Sequence, residues 1–88
     1  MTEDSIVPLG SLRPGDRAWV LSLAADGAEE ARLLDLGFTP GSAVECVFGS
    51  PMGDPIAYRV RGALVALRRA QSEKIMVTRR VQQPHRGG

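Results

Sequence analysis

Arg32-Leu33-Leu34-Asp35-Leu36-Gly37-Phe38-Thr39-Pro40-Gly41-Ser42 carries a helix, its stop and the start of a strand in one run. Ala28, Ala31, Leu33, Leu34 and Leu36 recur at helical spacing, which predicts a helix over about Ala28–Leu36. Asp26, with Glu29 three residues on, forms a capping-box-like start. Gly37 stands where a helix takes a left-handed residue to end, and Phe38 is expected to fold back onto the apolar face. Thr39-Pro40-Gly41 then turns the chain. From Ser42 the period changes to two: Val44, Cys46 and Phe48 alternate with Ala43, Glu45 and Val47, a strand with the first set on one face.

Working outward, the same Pro-Gly device recurs at Pro14-Gly15, after the apolar anchors Leu9 and Leu12. It launches a strand over Arg17–Leu23, with Trp19, Leu21 and Leu23 on one face and Ala18, Val20 and Ser22 on the other. Both faces are apolar enough to predict cover on both sides. Downstream, residues 49–55 are dense in turn formers and predict a loop. A strand over Ile56–Arg61 follows, with Arg59 and Arg61 on its wet face. Arg61-Gly62 is a tight turn into a strand over Ala63–Arg68, Ala70–Lys74 makes one helical turn, and Ile75–Thr78 is the last strand. The fold class is therefore mostly β, a small closed barrel of about five strands with one inserted short α-helix. The expected layout is a flexible N-terminus over residues 1–6, one domain over 7–78 and a disordered basic tail over 79–88.

At 88 residues there is room for one domain, which buries about 60–65% of its unfolded surface. The chain is 43% hydrophobic and 24% charged, with a net charge of +1, so it is neither globally disordered nor dominated by attraction to nucleic acid or an anionic membrane. One cysteine, Cys46, excludes an internal disulfide and a four-cysteine zinc site. Without a secretory leader or an apolar run long enough to span a bilayer, a cytoplasmic location is expected.

Read in order, the signals resemble a known family. They are Leu9-x-x-Leu12-x-Pro14-Gly15-Asp16, the Arg32–Ser42 run, Pro51-Met52-Gly53-Asp54-Pro55, Tyr58-Arg59-Val60-Arg61-Gly62, Val65-Ala66-Leu67-Arg68-Arg69 and Lys74-Ile75-Met76-Val77. Over roughly Val7 to Val77 the chain is similar to the FeoA family, ferrous iron transport protein A. The resemblance implies an SH3-like β-barrel and a cytosolic accessory that docks on the cytosolic region of FeoB, a membrane transporter for ferrous iron with a G domain. The alternative is a regulatory protein-interaction module of the kind found in metal-responsive repressors. Weak self-association is compatible with either.

The residues themselves offer little chemistry. The single histidine, His85, lies in the expected tail, so no held base and nucleophile pair is available and no enzyme is expected. Cys46 reads as a core residue. Two histidines with a carboxylate, the set ferrous iron favours, cannot be assembled; Glu45, Cys46, Met52 and Asp54 show no chelating spacing, so neither a metal site nor a cofactor is assigned. A weak or partner-completed contact with a transition metal is left open. The arginine stripe of Arg59, Arg61, Arg68, Arg69 and the tail suits a nucleic-acid-binding barrel, but exposed stacking aromatics are lacking: Trp19, Phe38 and Phe48 sit on apolar faces, and nucleic acid is disfavoured. Protein docking remains. Leu33 and Leu34 are about 100° apart on the helix, so both cannot face inward. With Met52, Asp54, Arg59 and Arg61 they form the set of partner-binding candidates, around a groove rimmed by the helix and the Pro51–Pro55 loop.

Overall fold

The computed structural model describes residues 6–49, 51 and 53–79. Six strands form one antiparallel sheet: β1 (Ile6–Pro8), β2 (Arg17–Leu23), β3 (Ala43–Gly49), β4 (Ile56–Val60), β5 (Ala63–Leu67) and β6 (Ile75–Thr78), in the spatial order β1-β6-β2-β3-β4-β5. A 3-10 turn (Leu9–Ser11) follows β1, the helix α1 (Gly27–Leu36) joins β2 to β3, and one turn, α2 (Arg69–Ser72), joins β5 to β6.

The class is mostly β, as the period-two pattern of Val44 and Cys46 against Ala43, Glu45 and Val47 implies. The sequence pattern did not reveal β1. It is three residues long, and Ile6, Val7 and Pro8 pair with Thr78, Val77 and Met76. A strand this short has no periodicity of its own and is defined by its partner. The residue calls on 1–5 and 80–88 lie outside the described residues, and Ile6 belongs to the sheet.

Closure is the point at which the expected barrel and the structure differ. β1 and β5 are free edges rather than partners. The segments that follow them meet instead: a Cβ added to Gly10 in the 3-10 turn would lie 2.8 Å from Ser72 Oγ in α2. Side-chain packing thus bridges the gap that a ladder of hydrogen bonds would otherwise close.

The core is lined by Leu9, Leu12, Ala18, Val20, Leu33, Phe38, Val44, Cys46, Tyr58, Val60, Leu67, Ile75 and Val77, none more than 4% exposed. On β2 the inward face is Ala18 and Val20, while Trp19, Leu21 and Leu23 are half-buried. A bulge between Val20 and Ser22 ends the strict alternation there. A second bulge, between Cys46 and Phe48, overturns the expected face of Phe48. Cys46 pairs with Tyr58, in the core, but Phe48 pairs with Ala57, which points to the opposite side from Tyr58. Phe48 is therefore 54% exposed.

The end of α1 follows the sequence signal closely. Gly37 takes φ 115°, its N–H donates to the Leu34 carbonyl (3.0 Å), and the Phe38 N–H donates to the Leu33 carbonyl (3.1 Å). This paired closure turns Phe38 back into the core at 0% exposure. The start differs from expectation. Asp26 occupies the N-cap position without a side-chain cap bond. Glu29 is committed to Lys74 Nζ at 2.8 Å, which ties α1 to the approach of β6 instead of closing a capping box.

Candidate docking groove

The outer faces of β2, β3 and β4 carry a concavity that gathers charged and aromatic residues. It has a volume of about 230 Å³ and is lined by Arg17, Trp19, Ala43, Val44, Glu45, Arg59, Arg61 and Gly62. Its layout follows from register. Arg17 pairs with Glu45, Glu45 with Arg59, and Arg59 with Leu64, so these four share one cross-strand row. Trp19 pairs with Ala43 in the adjacent row, and the small Ala43 leaves the indole uncovered on that side.

Arg61 enters from the β4–β5 hairpin. Val60 pairs with Ala63, so Arg61-Gly62 is a two-residue loop, with φ 52° and 82°. Positive φ at both positions is the type I′ geometry that matches the twist of the flanking strands. Gly62 takes it freely; an arginine there is uncommon and costs about 1 kcal/mol. The side chain of Arg61 runs back over α1, where a Cβ on Gly37 would stand 3.3 Å from Arg61 Cδ. Gly37 thus serves twice: it ends the helix and makes room for the stem of Arg61.

Electrostatically the groove is unbalanced. Three guanidiniums face one carboxylate, and none of Arg17, Glu45, Arg59 and Arg61 forms an ion pair with a described residue. The described ion pairs lie elsewhere, at Lys74–Glu29 and at Arg79–Asp16, the latter 3.5 Å.

The partner-binding candidates separate accordingly. Arg59 and Arg61 come together here. Leu33 is fully buried in the core and presents no surface, which corrects its selection; Leu34, half-buried, is the member of the helical pair that faces outward. Asp54 accepts a hydrogen bond at Oδ1 from the Arg69 N–H (3.0 Å), and so anchors the loop to the start of α2. Met52 lies outside the described residues. Sequence reading missed Arg17 and Trp19. Their signal was register with Glu45 and Ala43, which a single strand does not reveal.

No metal-ligating group of three or more His, Cys, Asp or Glu side chains exists among the described residues. Glu45 lines the outer groove while Cys46 faces the core. Burial pushes the Cys46 thiol above its usual range, and the Asp16 and Glu45 carboxylates add to the shift. The thiol is therefore a packing group, not an activated nucleophile. The Tyr58 hydroxyl is buried without a well-aligned hydrogen-bond partner. Burial pushes its pKa up to about 12, against a smaller opposing effect of Ser72.

Fold and groove together define a class: a small SH3-like antiparallel sheet, crossed by one helix, that displays a basic, tryptophan-containing concavity. Residues 7–79 match the family model of the FeoA domain, and the chain belongs to that family. It is 37% identical to the FeoA protein of Chlorobium tepidum, whose solution structure superimposes with a TM-score of 0.77 over 92% of this chain and 75% of that one. The crystal structure of Stenotrophomonas maltophilia FeoA, complexed with zinc and described as an SH3 domain protein, is 31% identical with a TM-score of 0.72, covering 81% of this chain and 88% of that one. The Fe(2+) transport protein A/Fe(2+) transporter FeoB fusion protein of Porphyromonas gingivalis is 35% identical over 69 residues, 78% of this chain. The match spans only 8% of the length of that curated relative. No described helix is long and apolar enough to cross a membrane.

Proposed function

We propose that this chain is a cytoplasmic accessory of ferrous iron transport that acts by docking on the cytosolic region of an FeoB-type transporter, without catalysis of its own. The observation that carries this reading is the Porphyromonas gingivalis relative, in which a segment similar to this chain belongs to the same polypeptide as the transporter. Fusion holds two parts at an effective concentration on the order of millimolar, which is useful when the two must associate. Ferrous iron is then the transporter's cargo. The accessory regulates by binding one conformation of the transporter better than another, and its leverage equals that difference in affinity. A tenfold preference corresponds to about 1.4 kcal/mol.

The test is an amide NMR titration of this protein with the cytosolic region of an FeoB-type transporter from the same genome, with anaerobic ferrous iron alone as the control. Clustered shifts from the transporter, with iron silent, are expected. Shifts from iron alone around Cys46 or Asp54, with no response to the transporter, would replace docking with metal binding.

A further inference from the structure

We infer that the outer-face groove is a docking site for an acidic, extended protein segment, which lays an apolar side chain on Trp19 and carboxylates against Arg17, Arg59 and Arg61. The inference deepens the docking function and rests on it only for the owner of the segment, the transporter.

Charge complementarity names the occupant. Three arginines, none ion-paired with a described residue, line one concavity, and each guanidinium can hold a carboxylate through two parallel N–H bonds. The indole and the small Ala43 supply an apolar floor between them. Tryptophan and arginine together are the residues that most often dominate binding at protein interfaces. Two of the arginines stand on paired strands and the third has its stem packed at Gly37, so the backbone that presents them is ordered before binding.

Spacing narrows the partner further. Arg17 and Arg59 are separated by β3, two strand spacings or about 10 Å, which an extended chain covers in about three residues. Because alternate side chains of an extended chain share a face, carboxylates four residues apart, about 13 Å, with an apolar residue midway on the same face match this row within the reach of the arginine side chains. Glu45 separates a peptide from a nucleic acid. Sitting between Arg17 and Arg59, it can accept a peptide N–H, whereas a run of phosphates offers it only repulsion.

The experiment follows groove amides and the fluorescence of Trp19, the only tryptophan. Its acidic probes are a short synthetic peptide with two glutamates four residues apart and a phenylalanine midway between them, and the transporter's cytosolic region. The controls are the same peptide with lysines in place of glutamates, and a single-stranded DNA oligonucleotide. Shifts on β2, β3 and β4 from either acidic probe are expected, with both controls weaker. The double variant Arg17→Glu, Arg59→Glu should lower affinity at least tenfold at an unchanged unfolding midpoint, while Glu73→Gln, exposed at the end of α2, leaves affinity as it was. The groove is overturned if both acidic probes leave it unmoved, if the oligonucleotide moves it as strongly, or if the double variant binds normally. A transporter region that shifts only other residues, with the peptide silent, removes the groove and leaves the docking function standing. A peptide that fills the groove beside a transporter region that binds nowhere does the reverse.

Discussion

The two faces of β2, β3 and β4 are built from alternate residues of the same three strands and answer to different demands. Inward, Ala18, Val20, Val44, Cys46, Tyr58 and Val60 are at most 2% exposed and exclude water. Outward, Arg17, Trp19, Glu45, Arg59 and Arg61 border a groove in which no charged group is ion-paired with a described residue. The inner face stabilises the fold through apolar area, whose worth is indifferent to partner. The outer face is largely half-buried or exposed and is the surface proposed above to meet another molecule. A fold of this size can carry both because a strand changes face at every residue.

The comparison breaks first at its strongest claim. Phe38→Ala should cost about 3–5 kcal/mol, because it empties a fully enclosed site at the helix stop. Urea unfolding followed by circular dichroism measures it; a loss below about 1 kcal/mol would mean that the inner face is not the source of stability. Adjacent residues on β4 give a sharper contrast. Val60→Ala should cost about 2 kcal/mol, from two buried carbons and a residual void. Arg59→Ala should stay within about 0.5 kcal/mol of the parent, since its side chain is exposed and forms no ion pair with a described residue. Equal losses would erase the division between the faces.

A pH series tests the inner face differently. The Tyr58 phenol ionises at 10.0 when unperturbed and at about 12 in the fold. Below pH 10 the group is neutral in both states and adds no pH dependence to stability. From about pH 10 to about pH 12 the unfolded chain releases its proton first, so stability falls as pH rises. Tyr58→Phe should remove that part of the decline, read as the difference between two thermal-melt series across this window; parallel series would show that the phenol is hydrated. The smallest effect has the opposite sign. Arg61→Asn restores the Asn-Gly pair that type I′ hairpins favour and should stabilise by about 0.5–1 kcal/mol, measured by urea unfolding. The same variant should bind the acidic probes less well, so stability and docking would move apart at one residue.

Local signals carried most of the fold. The stop at Gly37 and Phe38, the Arg61-Gly62 hairpin and all five expected strands rest on the dihedral preferences of a few neighbouring residues, which tertiary contacts had no reason to override. The face of Phe48 was not legible, because one extra residue in β3 reverses everything beyond it and a bulge leaves alternation intact on paper. Glu29 was read as part of a cap because the partner it chose, Lys74, is 45 residues away. The same distance problem hid half the groove: Arg59 and Arg61 stood out as a wet face, while Arg17 and Trp19 looked like the ordinary start of an apolar strand.

By itself, then, the sequence determined the element types, the turns and the family, because each depends on residues within a turn or two of one another and on their order. Only the tertiary structure decided that the sheet stays open between β1 and β5, that Leu33 is core and Leu34 is not, and that Arg17, Glu45 and Arg59 share a row. Those facts depend on strand register and on which edge meets which, and register is chosen by the whole set of buried side chains competing for one interior.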